Sequence, residues 1–185
     1  MPTKLISPGL LLAIAIASSS ALATSPYAGQ ESREIKALPE SEAASLLAGQ
    51  GMGLAKAAEL NGYPGPAHVL ELSSQLKLSE SQVARTRELH ARMDAEAKAA
   101  GRLLVDAESE LDTLFRERKA TPELLAQSLG KVASLQARVR EVHLQAHLTQ
   151  TLLLSAEQIA QYNQLRGYAQ GVESRPPGEH HKRHQ

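Results

Sequence analysis

The chain contains no cysteine. Thiolate catalysis, disulfide staples and cysteine-type metal sites are therefore excluded, and stability has to come from packing. Aromatic residues are almost as scarce. One Phe, four Tyr and no Trp suit an assembly of alanine- and leucine-built helices better than a compact mixed globule. An excess of one charge is lacking as well: 20 basic residues face 20 acidic ones. Nothing in that balance points to nucleic acid or to an anionic membrane surface. Long apolar runs are also missing. The stretch from Leu5 to Ala17 is interrupted by Pro8 and Gly9 and is too short to span a bilayer.

That stretch has the form of an export signal. Lys4 supplies a small basic n-region, and Ala21-Leu22-Ala23 ends it in an A-x-A cleavage pattern. The expectation is a signal peptide over 1–23, cleaved near Ala23, with an uncleaved N-terminal anchor as the alternative. No membrane span is expected after its removal. Losing Lys4 leaves 19 basic residues against 20 acidic, and the remaining chain suffices for one domain.

What is present is helical pattern and its punctuation. Residues 24–38 are polar and read as an irregular N-terminal arm. Short helices are expected from Pro39 to Leu47, from Gly53 to Leu60 and from Pro66 to about Gln75, separated by Gly49-Gln50-Gly51 and Tyr63-Pro64-Gly65-Pro66. Ser79 and Gln82 then have the S-x-x-Q spacing of a capping box. Val83, Thr86, His90, Met93, Ala97, Ala100, Leu104, Ala107, Leu111 and Leu114 follow in steps of three and four. That is a heptad seam on a helix reaching about Arg118, and Gly101 beside it is expected to soften the middle. Thr121-Pro122-Glu123 opens a second long helix, with an N-cap, a proline at the first position and a favourable charge. Its seam runs through Leu125, Ser128, Val132, Leu135, Val139, Val142, Ala146, Thr149 and Leu153. Two long helices joined by a tight turn predict an antiparallel hairpin. Ser155 and Gln158 repeat the capping box before a last short helix, and Gly167 ends it. The helical hairpin domain is thus expected over 39–168. Residues 169–185, with His180, His181 and His184, read as a disordered His-rich tail. The fold class is all-α, a long antiparallel helical hairpin with short flanking helices.

His143 and His147 are the residues that carry chemistry. Four apart on a helix, they share one face and can reach one metal ion. The seam places them on its flank, so they face water, a further element or a metal. His68, on the third short helix, is a second-rank candidate, and His90 reads as a seam residue. The chain shows no catalytic constellation: there is no G-x-S-x-G, and Leu144 stands where H-E-x-x-H needs glutamate. An enzyme is not expected.

The duplicated L-x-L-S-x-x-Q, at Leu76–Gln82 and Leu152–Gln158, resembles the LTxxQ motif of the Spy/CpxP periplasmic family, with serine in place of threonine. Together with the export signal and His143-x3-His147, the chain looks like that family's heavy-metal-resistance and periplasmic metal-sensor branch. The resemblance covers Pro66 to Tyr168. It implies a periplasmic homodimer of hooked hairpins, four helices in all. It also implies a divalent Zn, Ni, Co or Cu ion and no organic cofactor. In sensor-type members the metal is held by early histidines, a carboxylate and the late histidine pair. The late pair matches His143 and His147. The early pair departs, since His68 has Leu72 four residues on; Glu71 or Glu88 would supply the carboxylate. The expected metal set is therefore His143, His147, His68 and Glu71. The resemblance also implies the alternative function, an ATP-independent holdase for unfolded client proteins, and a possible envelope signalling partner.

Overall fold

The computed structural model describes residues 25–168. The expected signal peptide and His-rich tail lie outside the described residues. The chain divides into two units, Met1–Glu31 and Ser32–Gln185. The described part of the first is a pair of overlapping turns, in which Ala28 N–H donates to Ser25 O and Gln30 N–H to Tyr27 O.

Among its described residues the second unit holds six helices: α1 (Glu40–Leu47), α2 (Lys56–Glu59), α3 (Pro66–Glu71), α4 (Glu80–Arg116), α5 (Pro122–Leu153) and α6 (Ala156–Leu165). Among the described residues every regular element is helical, and no helix is long and apolar enough to cross a membrane. The long pair forms the frame. α4 has 37 residues, about 55 Å at 1.5 Å per residue. Thr121 caps α5, its side chain accepting from Leu124 N–H, and Pro122 opens the helix. Contacts between the two long helices recur along their length: Gln150 donates to Thr86 at 3.3 Å, Arg138 pairs with Glu96 at 3.1 Å, and Lys131 pairs with Glu110.

The buried face of α4 is Thr86, Leu89, Ala97, Ala100, Gly101, Leu104 and Ala107. Leu89 takes the place expected for His90, which is only partly buried. The heptad phase tolerates a step of three or four there, and the apolar neighbour costs less to dehydrate. Gly101 does not soften the helix, which continues through it. A Cβ at this position would collide with the carbonyl oxygen of Leu46, so glycine is what lets the end of α1 settle directly on α4.

Two apolar clusters follow. In the first, Ile35, Leu38 and Leu46 pack on Ala100, Leu104, Ala107, Val132 and Val139. The segment before α1 is irregular, as expected, but its end is a core element rather than a loose arm. Lys36 N–H also donates to Asp112 of α4 at 3.0 Å. In the second cluster Val69, Leu76 and Tyr162 are buried among Leu72, Leu78, Leu154 and Tyr168, joining α3 and α6 at the far end of the long pair.

At that end the two repeated motifs meet. Each is a complete capping box: the Ser79 and Ser155 side chains accept from the Gln82 and Gln158 backbones, and each glutamine Oε1 accepts the serine N–H in return. Each glutamine Nε2 then reaches across to the other motif. Gln82 donates to Leu153 O at 2.9 Å and to Gln158 Oε1 at 2.8 Å; Gln158 donates to Leu76 O at 3.2 Å and to Gln82 Oε1 at 3.1 Å. Both amide donors and both lone pairs of each side chain are used. Glutamate at Gln82 would cap the helix equally well but has no donor for Leu153 O. Gln82→Glu is therefore expected to lower stability by about 1–3 kcal/mol, read as a shift in the urea midpoint, although S-x-x-E is itself a good capping box. An unchanged midpoint would show that the cross-motif bonds contribute nothing.

Candidate functional site

One face of α5 carries Val142, His143, Ala146, His147 and Gln150, and all five are buried. The two histidines are 5% and 8% exposed, so they do not face water. The element covering them is the chain from Gly51 to Gly65, just upstream of α3, and glycines make the contact. A Cβ at Gly51 would sit 3.5 Å from His143 Nδ1, an ordinary packing distance. A Cβ at Gly65 would sit 2.8 Å from His147 Cε1 and 2.9 Å from its Nε2, closer than real Cβ contacts allow. His147 Nδ1 lies 2.7 Å from Tyr63 O. A carbonyl only accepts, so Nδ1 carries the proton and donates, which leaves the Nε2 lone pair directed away from that bond.

Beside His147 is a carboxylate absent from the expected set. Glu59 ends α2, and its side chain is only 12% exposed. Its Oε1 accepts from the Tyr162 hydroxyl at 2.6 Å and the Tyr168 hydroxyl at 3.1 Å, and pairs with Arg166 Nε at 3.4 Å. Its Oε2 lies 3.7 Å from His147 Nδ1 and has no hydrogen-bond partner. His143 Nε2 is likewise buried and unpartnered. A buried polar atom left without a partner costs about 1–3 kcal/mol, and here Glu59 Oε2 lies beside His147 while His143 Nε2 is one helical turn away. Burial, reinforced by Glu59, pushes the Tyr162 phenol far above its ordinary value, so it stays protonated and donates.

The other expected residues lie further out. His68 Nδ1 and Glu71 Oε2 are 3.0 Å apart, i and i+3 on α3, with Glu71 66% exposed. His68 joins Lys56, Glu59, Arg166 and Tyr168 in lining a cavity of about 420 Å³; Glu71 does not line it. Glu88 is exposed on α4. Among the described residues no three His, Asp or Glu side chains are grouped to hold a metal as they stand. Glu59 was not legible in the sequence, because a glutamate ending a four-residue helix has the pattern of a solvated one. Tyr162 left a faint trace, its three-residue spacing from Ile159 in the last helix.

The chemistry available is that of two imidazoles and a carboxylate in a dry setting, of which nitrogen and oxygen donors suit zinc, nickel or copper. Burial, and after it the neighbouring His147, holds the His143 pKa below its ordinary 6.5. The unfolded chain therefore binds a proton here that the folded chain resists, so this contribution to stability is full above about pH 6.5 and is lost as pH falls toward the depressed value. With chelator present, the melting temperature should drop below about pH 6.5, and His143→Gln should reduce that drop; an identical pH profile in the variant would remove His143 as its source. Neither a protein-family model nor a characterised protein nor a solved structure matches this chain, and the chemistry of the Glu59–His147 site rests on its own atoms.

Proposed function

We propose that the chain is a periplasmic metal-binding protein of the heavy-metal-responsive stress or resistance type, similar to the Spy/CpxP-like family. Its ligands are His143, His147 and Glu59, for an ion of the Zn, Ni, Co or Cu class. The observation that carries this reading is a pair of buried polar atoms without partners, Glu59 Oε2 at 3.7 Å from His147 Nδ1 and His143 Nε2 one helical turn from His147. Glu59 takes the carboxylate role that the resemblance implied for Glu71. His68 and Glu71 stand one step further out, with His68 on the wall of the cavity beside Glu59.

A bound divalent ion would supply the partner that Glu59 Oε2 and His143 Nε2 now lack. The chain's own residues supply the linkage. Glu59 belongs to α2 and is held by Tyr162 from α6 and by Arg166 just beyond it, while both histidines belong to α5. Drawing Glu59 toward His147 therefore moves α2 and α6 together. In the finer arrangement we propose, α4 and α5 form a hairpin, two copies pair as a hooked dimer, and this linkage reports metal through the dimer to an envelope signalling partner.

A holdase role is the second reading. It is favoured by the exposure of Leu103, Phe115, Leu129, Leu148 and Leu152, from 47% to 85%, on the two long helices. It requires suppression of client aggregation in chelator.

The test of the first reading is calorimetric titration with Zn²⁺, Ni²⁺, Co²⁺ and Cu²⁺ of the full chain carrying alanine at His180, His181 and His184. One-site binding is expected, weakened by about tenfold or more in Glu59→Gln and in His143→Ala. Absence of binding, or affinity unchanged in both variants, would eliminate the site.

A further inference from the structure

A second concavity lies away from the histidines, where α1 and its flanking segments cross the long helices. It measures about 560 Å³, within the range of roughly 300–1,000 Å³ typical of small-molecule pockets. Leu38, Leu46, Leu54, Leu104 and Val139 supply an apolar lining. Those residues come from the arm, α1, the loop after it, α4 and α5, so the shape depends on the tertiary fold rather than on any one helix.

The polar groups on the same lining are not balanced. Glu42 of α1 and Glu108 of α4 both contribute, against Arg140 of α5. Among the described residues neither glutamate carboxylate has an ion-pair or hydrogen-bond partner. Burial, and then the charge of Glu42, raises the Glu108 pKa above its ordinary value. Glu108 is partly buried and faces the charge of the exposed Glu42 from another helix, so its carboxylate is short of hydration and repelled, and a cation seated between the two would relieve it. Lysine or arginine is the usual solution, and Arg140 is a single charge against two.

We propose that this cleft binds a small amphiphilic cation, an apolar body carrying one amine or quaternary ammonium, with the body on Leu46, Leu54, Leu104 and Val139 and the charge between Glu42 and Glu108. The charge complementarity favours this occupant over an anionic or neutral one of equal apolar size. The cleft shares no residue with the proposed ligands His143, His147 and Glu59, so the inference stands apart from the metal reading.

The experiment uses decyltrimethylammonium below its micellar concentration, titrated calorimetrically into the full chain, with decyl sulfate and decanol as probes of equal chain length. Saturable one-site binding of the ammonium is expected, about tenfold tighter than either comparison probe, a difference of 1.4 kcal/mol. The Glu42→Gln/Glu108→Gln variant should remove that preference. Ala133→Trp, at an exposed position of α5 on the cleft lining, should abolish binding without changing helical circular dichroism. Equal binding of decyl sulfate, or ammonium binding untouched by Ala133→Trp, overturns the proposal. So does closure of the cleft by a second copy, seen as a doubled solution mass that Ala133→Trp restores to that of one chain.

Discussion

The amide pair of Gln82 and Gln158 is the point through which the starts of α4 and α6 are joined. Each side chain closes its own helix start and simultaneously holds the other motif by a backbone carbonyl. A capping box alone is a local device that satisfies two orphan donors of one helix. Here the donors left over from capping are spent across 76 residues of sequence, which converts two local signals into one tertiary constraint. With both amides fully bonded, neither motif can shift along the other without stranding a partly buried polar group, and partly satisfied networks are costly. The position of α6 relative to the start of α4 follows from this, and with it the packing of Tyr162 among Val69, Leu76 and Leu154.

The candidate site depends on that placement. Tyr162 reaches Glu59 because α6 is held against the α3–α4 junction, and its hydroxyl, with those of Tyr168 and the Arg166 guanidinium, occupies one oxygen of the carboxylate. The other oxygen is left bare beside His147. A buried carboxylate is tolerated when it is paired and hydrogen-bonded. Glu59 meets that requirement on one side only, and the asymmetry gives the site its chemical direction. The glycines at 51 and 65 complete it, since a side chain at Gly65 would occupy the space of the His147 ring. Loop, short helix and long helix are fitted to the imidazoles at the scale of a methyl group.

The long helices were legible because their signals are local and redundant. Ser79 with Gln82, Thr121 with Pro122, and Ser155 with Gln158 each mark a helix start by chemistry confined to four residues. The seam residues Ala97, Ala100, Leu104, Ala107, Val132, Val139, Val142 and Ala146 are buried as their spacing indicates. Where the pattern permitted two phases, at Leu89 and His90, spacing could not choose, and desolvation did. Gly101 misled for a related reason. In a sequence it reads as a weak helix former, and only the docking of Leu46 reveals it as a site of backbone contact. The buried ends of the arm, Ile35 and Leu38, were hidden among charged neighbours.

His143 and His147 show where the boundary falls. The sequence alone determined that they share a helix face and that this face flanks the seam, because the helical period follows from backbone geometry. It also marked the starts of α1, α3, α4, α5 and α6 closely, through caps and prolines acting on their immediate neighbours, whereas α2 (Lys56–Glu59) and α3 (Pro66–Glu71) are shorter than the expected Gly53–Leu60 and Pro66–Gln75. Only the tertiary structure decided that the pair is buried, that Gly51 and Gly65 cover it, and that its nearest carboxylate is Glu59 rather than Glu71. Those facts depend on which distant surfaces meet, and a charged residue on a short helix has the same local pattern whether water or an imidazole lies beyond it.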